Sequence, residues 1–182
     1  VVDIRQLSEI AKKHHLLLIA DSTITPFNIF RAKDFGVNIE VISSTKIISG
    51  GATSIGGLIV DYGNFDWKKI QGLELYAKKF GPHAFNAKLR KEVFRNLGAC
   101  LSPYHAYLQS IGLETLDLRY VKAAANAMII AEYLQQCKRI VSVNYPGLKD
   151  SQFHEISKKQ FGEMPGAVAV RARAARDHSL SG

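Results

Sequence analysis

Ile4, Leu7, Ile10 and Ala11 recur at helical spacing, with Arg5, Glu9, Lys12 and Lys13 between them. This spacing predicts a helix from Ile4 to His15, capped by Asp3. The uninterrupted apolar run Leu16 to Ala20 follows. A run this short after a helix reads as a strand buried on both faces, hence parallel, with Asp21 closing it. A loop through Pro26 leads to at most a short helix over Arg31–Phe35, stopped at Gly36. Ile39 to Ile42 and Gly57 to Val60 are two further strands. Strands joined by crossovers are the pattern of an α/β sheet, whose ligands bind at the carboxyl ends of the strands.

Phe65 to Leu75 fits neither period. From His83 to Leu97, Phe85, Leu89, Val93, Phe94 and Leu97 share one helical face, and Gly98 suits the left-handed position after it. Ser102-Pro103 is an N-cap followed by a first-turn proline, opening a helix through Ile111 that Gly112 interrupts. A long helix is expected from Glu114 to Gln136, with Leu116, Ala123, Ala127, Ile130, Ala131 and Leu134 inward; a helix of this length can join two domains. Ile140 to Val143 is a strand, Tyr145-Pro146-Gly147 a turn, and His154 to Lys159 a short helix. Gly166 to Val170 is a last strand. The tail from Arg171 to Gly182 has no periodicity and is set aside.

The chain has 182 residues, 47% of them apolar, enough for a core and part of a second one. Its net charge of +8 raises the question of an anionic partner. The lysines sit as scattered pairs flanked by apolar residues, such as Lys12-Lys13 and Lys78-Lys79. That is the pattern of solvated helix faces rather than a nucleic-acid stripe. Two cysteines, Cys100 and Cys137, form neither a disulfide framework nor a metal motif, which fits a reducing cytoplasm. No apolar run has the length of a membrane helix. The abrupt start leads us to expect a piece of a longer protein.

The stretch with most chemistry is Val41-Ile42-Ser43-Ser44-Thr45-Lys46-Ile47-Ile48-Ser49-Gly50-Gly51. A lysine among apolar neighbours is expected to be partly desolvated, which favours the nucleophilic amine; the alternative is a solvated loop residue. The hydroxyls of Ser43 and Thr45 can donate to a phosphate, or simply cap the strand end. The glycines from Gly50 to Gly57 allow close backbone approach. Asp21 reads as a turn cap, a metal ligand or the partner of a protonated ring nitrogen, and no second acid or histidine stands at ligand spacing. The phosphate-loop and dinucleotide glycine motifs are missing from the chain. His83, His105 and His154 are scattered and read as capping or packing residues.

Leu17 to Thr23, Ser43-Ser44-Thr45-Lys46 and Gly56 to Asp61 together resemble the Cys/Met-metabolism enzymes that depend on pyridoxal 5'-phosphate (PLP). The 25-residue step from Asp21 to Lys46 is that family's own. The resemblance continues through Asn96 to Pro103, Gly112 to Leu116 and Val143 to Leu148, covering residues 1–170. Phe65-Asp66-Trp67 and Gly98-Ala99-Cys100-Leu101-Ser102-Pro103 look most like the O-acetylhomoserine sulfhydrylase branch; methionine gamma-lyases and cystathionine gamma-synthases or lyases are the alternatives. The resemblance implies an aspartate-aminotransferase-like fold (fold type I). Residues 1–103 would be the latter half of its PLP-binding domain and 104–170 a linking helix with the start of a smaller domain, leaving 171–182 as an irregular tail. It also implies that Lys46 carries the cofactor and moves protons, Asp21 pairs with the pyridine nitrogen, and Ser43 and Thr45 hold the phosphate. The implied substrates are an amino acid and sulfide, and the implied assembly a cytoplasmic homo-oligomer, a tetramer. The family's ring-stacking tyrosine, its phosphate loop and the arginine that grips the substrate carboxylate have no counterpart in the matched residues. A non-catalytic fragment that keeps the fold without cofactor is therefore the competing reading. Ser22 stands where the family commonly has Asn, and His105 and Ile111 replace more usual residues.

Overall fold

The computed structural model describes residues 1–162 and 169–172, and the side chains of 1–162. The chain divides into two compact units, Val2–Asp117 and the residues from Leu118 onward.

In the first unit, α1 (Ile4–Lys13) is capped by Asp3, whose carboxylate accepts from the Gln6 N–H at 3.0 Å. Its buried residues are Ser8 and Ala11; Leu7 and Ile10 of the expected apolar face are exposed. Three strands follow: β1 (Ile19–Asp21), β2 (Ile39–Ile42) and β3 (Leu58–Asp61), in the order β1-β2-β3. β1 runs parallel to β2, with Asp21 opposite Val41. β3 is antiparallel to β2, which corrects the expected run of crossovers. The linking segment holds glycines and turns instead of the helix that a parallel return requires. The burial expected for the first strand is also corrected: Leu16 and Ile19 are exposed. β1 is an edge strand here, and only the central β2 is enclosed.

Ile39 of β2 packs with Trp67, Leu73, Ala77 and Ala84. Trp67 stacks on Phe85 with ring centroids 5.2 Å apart, and its indole N–H donates to the Pro82 carbonyl at 3.2 Å. The region of no clear period resolves into a 3₁₀ turn, Trp67–Lys69, and α2 (Glu74–Phe80). The helix expected from His83 is composite: α3 (Ala84–Lys88), a π-helical stretch over Leu89–Phe94, and α4 (Arg95–Leu97), ending at Gly98 with φ 67°. Val93, Phe94 and Leu97 of its apolar face are exposed. Ser102 caps α5 (Pro103–Glu114), which runs straight through Gly112 instead of stopping there.

α6 (Leu116–Gln135) begins in the first unit and continues into the second. Its buried positions are Leu116, Tyr120, Ala124 and Ala131, four or seven residues apart, while Ala123 and Ile130 face outward. In the second unit Ala131, Tyr145 and Leu148 form a small core. β4 (Ile140–Asn144) pairs antiparallel with β5 (Ala169–Ala172), and α7 (His154–Phe161) lies between them in sequence. Arg171 and Ala172, assigned above to the irregular tail, belong to β5; residues 166–168 and 173–182 of the last two expected segments lie outside the described residues.

Candidate active site

Asp21 and Ser43 stand at the carboxyl ends of two adjacent parallel strands, and Lys46 follows in the turn after β2. The segment after Asp21 stitches the two ends together. Ser22 N–H donates to the Val41 carbonyl at 3.1 Å. Thr23 Oγ1 accepts from the Ser43 N–H at 2.9 Å, and the Thr23 N–H donates to Asp21 Oδ1 at 3.0 Å. The Thr23 hydroxyl and this N–H hold the Asp21 carboxyl below its ordinary value. Asp21 is therefore a turn-capping carboxylate, exposed and ionised at neutral pH.

The Lys46 turn is bound into itself: Ser49 N–H donates to the Ser44 carbonyl at 2.9 Å, and Ser49 Oγ to the Thr45 carbonyl at 2.8 Å. Ile48 points into the protein, Ile47 is half-buried and Lys46 is exposed, so the desolvation expected of this lysine is not found. Its apolar neighbours turn inward while the lysine turns out.

Ser43 is half-buried. The Thr45 hydroxyl is already engaged, donating to the Gly56 carbonyl at 3.2 Å and accepting from the Gly56 N–H at 2.9 Å. It reaches a phosphate as a donor only by releasing that carbonyl. A Cβ at Gly56 would stand 2.7 Å from Ser44 Oγ and closer still to the Gln109 amide, so a larger residue there displaces both side chains. Ser44 Oγ is itself buried with no hydrogen-bond partner.

α5 forms the wall behind this loop. Gln109 Nε2 donates to Ser54 Oγ at 3.1 Å, and Gly112 lies directly on the backbone of Ile48 and Ser49. The spacing of Gln109 and Gly112 was visible in the sequence, but nothing local signals what they touch. A cavity of about 630 Å³ beside the loop is lined by Val41, Gly56, Leu58, Leu89 and Cys100, among others; Asp21 and Lys46 lie outside its lining.

Sequence reasoning also missed Glu40. It is fully enclosed at the centre of β2, accepting from the Ser22 hydroxyl on one oxygen and from the Tyr62 hydroxyl on the other. The signal was available: one acid within the otherwise apolar run Ile39 to Ile42. Burial, together with the Glu40 carboxylate, pushes the Tyr62 phenol well above its ordinary value, so Tyr62 remains a donor. Among the described residues no group of three or more His, Cys, Asp or Glu could hold a metal ion, and Cys100 and Cys137 are free thiols. No helix of the described residues is long and apolar enough to cross a membrane.

An exposed amine, an ionised carboxylate and a hydroxyl-rich strand end on one edge of an α/β sheet fit an aldehyde cofactor with a basic ring nitrogen and a phosphate. That donor set is compatible with a lysine-anchored cofactor. Residues 1–180 match the model of the Cys/Met metabolism PLP-dependent enzymes, and the chain belongs to that family. It is 34% identical to the homocysteine/cysteine synthase of Kluyveromyces lactis over 92% of this chain and 41% of that protein. It is 31% identical to the O-acetyl-L-homoserine sulfhydrylase of Corynebacterium glutamicum over 92% of this chain and 42% of that one. Among solved structures, an O-acetylhomoserine sulfhydrylase of Wolinella succinogenes superposes with a TM-score of 0.84 at 45% identity, over 96% of this chain and 49% of that chain. A Campylobacter jejuni protein assigned as an O-acetylhomoserine (thiol)-lyase, which carries a pyridoxyl-lysine monophosphate, gives 0.87 at 28% identity, over 94% and 46%. The fold is thus that of the fold type I PLP enzymes, and the family's cofactor is PLP. The chain spans about two fifths of the length of the curated relatives it matches.

Proposed function

We propose that this chain carries the lysine and carboxylate side of the cofactor site of an O-acetylhomoserine sulfhydrylase, which replaces the acetate of O-acetyl-L-homoserine with sulfide to give homocysteine. The observation that carries the reading is the joined edge, where Thr23 ties the Asp21 carboxylate to the Ser43 end of β2, from which the Lys46 turn starts. The names and identities of the sulfhydrylase relatives support the choice of reaction.

In this reading the Lys46 amine would hold PLP and would move protons at the substrate carbons. Its exposure leaves it free to swing between those roles. Asp21, ionised and held by Thr23, keeps the ring nitrogen protonated. Ser43 donates its hydroxyl to the phosphate, and Thr45 does so by exchanging its Gly56 carbonyl for a phosphate oxygen. PLP supplies the electron-withdrawing ring that lets a proton leave the substrate.

Residues 1–103 then belong to the cofactor domain and 104–170 to the linking helix and the start of the smaller domain. The working protein is a cytoplasmic homo-oligomer, a reading supported by the exposed Leu16, Ile19, Val93 and Leu97 and by free thiols.

The test is to load the natural full-length protein with PLP, reduce it with borohydride and map the modified peptide by mass spectrometry. The pyridoxyl mass is expected on the Lys46 peptide and lost in Lys46→Ala. A pyridoxyl mass that stays in Lys46→Ala, carried by another lysine, overturns the assignment. Homocysteine formed from O-acetylhomoserine and sulfide, above the rate with other acyl homoserines or with cystathionine, checks the reaction.

A further inference from the structure

Glu40 is 1% exposed and has no cation within ion-pair distance among the described residues. A carboxyl group placed on a central strand is expensive to bury unless both oxygens are bonded. Both are, and by hydroxyls from two different elements: Ser22, just beyond β1, and Tyr62, just beyond β3. Its neighbours Ile39 and Val41 face the aromatic core on the other side of the sheet. An apolar residue would fill the Glu40 position at less cost, so the acid calls for a reason beyond packing.

The reason lies in what Ser22 adjoins. Ser22 follows Asp21 directly, and the segment Asp21-Ser22-Thr23 touches β2 at three points. Ser22 N–H meets the Val41 carbonyl, Thr23 Oγ1 meets the Ser43 N–H, and the Ser22 hydroxyl meets Glu40. The first two bonds are made with backbone groups. The Glu40 bond is the only one of the three that a β2 side chain contributes, and it is made by the residue next to Asp21. Two acceptor oxygens also oblige both hydroxyls to donate, which fixes their direction.

We propose that Glu40 is a positioning residue for the cofactor: through the Ser22 hydroxyl it holds the end of β1 so that the Asp21 carboxylate points at the ring nitrogen. This rests on the reading that Asp21 faces that nitrogen.

The experiment uses the natural full-length protein and measures PLP affinity, together with the absorbance of bound cofactor as a function of pH. Asp21→Ala provides the reference. Glu40→Leu and Ser22→Ala are each expected to weaken PLP binding roughly tenfold, the size of one lost bond to a charged group, and to shift the pH at which the bound absorbance changes. The double variant is expected to be no weaker than Glu40→Leu alone, because both substitutions remove the same bond. Glu40→Gln keeps shape and one acceptor and is expected to restore most of the affinity. Tyr62→Phe leaves the Ser22 bond in place and is expected to keep PLP affinity within about twofold, well below the cost of a full bond.

Additive losses in the double variant overturn the proposal. So does an effect of Glu40→Leu that Ser22→Ala does not share, since it would reflect packing alone. If Glu40→Leu does not fold, Ser22→Ala and Glu40→Gln decide: unchanged affinity and unchanged pH profile in Ser22→Ala overturn it. Should Asp21→Ala itself leave PLP binding intact, the underlying cofactor reading fails instead; a loss in Asp21→Ala without one in Ser22→Ala fails only this inference.

Discussion

Gly112→Ala tests whether α5 really supports the Lys46 turn. A Cβ at this position would lie 2.5 Å from the Ser49 carbonyl carbon and 2.6 Å from its oxygen, and nearer still to the Ile48 oxygen. These are backbone atoms, so no side chain can swing aside. Alanine gains about 1 kcal/mol of helix propensity over glycine, whereas overpacking costs about 1–3 kcal/mol and occasionally more. With three rigid atoms in the way the clash wins, and the net loss is expected at about 1–3 kcal/mol. In a protein of this size each kcal/mol moves Tm by about 2–4 °C. The push also travels. Ser49 holds the Ser44 and Thr45 carbonyls, so displacing it is expected to turn Lys46 and, on the proposed reading, to weaken PLP binding as well. The assay is urea unfolding followed by circular dichroism, with PLP affinity on the same samples. Gly51→Ala is the comparison, because a Cβ there meets nothing within 4 Å. If Gly112→Ala unfolds at the same urea concentration as Gly51→Ala and binds PLP equally well, the packing of α5 on the Lys46 turn is wrong.

Thr23→Val removes the hydroxyl that does most to lower the Asp21 carboxyl, while the Thr23 N–H remains; a ¹³C titration of Asp21 should move part of the way back up. Because the folded value is depressed, the stability Asp21 contributes is present above the ordinary carboxylate value and lost as pH falls through the folded one. Thr23→Val should therefore lose less stability than the parent on acidification below about pH 4. Tyr62→Phe removes a bond to a buried carboxylate and should cost about 1.5–3 kcal/mol at neutral pH, read by urea unfolding. The Tyr62 phenol is raised in the folded state, so its contribution is full below about pH 10 and falls as pH rises beyond it; the gap between parent and Tyr62→Phe should narrow in alkali. In the second unit Ala131 is wholly enclosed beside Tyr145 and Leu148. Ala131→Leu should lower stability by about 1–3 kcal/mol through overpacking, and a neutral result in thermal unfolding would contradict that core.

Local chemistry was enough for several features. Asp3 and Ser102 cap their helices as their side chains dictate, and Gly36 and Gly98 take the left-handed conformation that glycine tolerates without strain. β2 is the strand its apolar run implies, because among the described residues it is the strand with neighbours on both edges. The equally apolar run before Asp21 reads as buried, yet Leu16 and Ile19 are exposed and Leu17, Leu18 and Ala20 only half-buried, since hydrophobicity records what a segment can bury and not what lies against it. Along α6 the same limit appears: Ala123 and Ile130 fit an apolar stripe, yet the buried line runs through Tyr120 and Ala124.

The amino-acid order by itself carried the resemblance to the family and its cofactor, and it placed Asp21 and Ser43 at strand ends, because a short strand must end where its polar residues begin. Tertiary structure alone decided that β3 returns antiparallel, that Lys46 faces solvent, that Thr45 is spent on Gly56, and that Glu40 joins Ser22 to Tyr62. Each of these depends on a partner distant in the chain. Periodicity reports which face of an element is apolar, but only folding chooses what that face, or a lone acid on it, will meet.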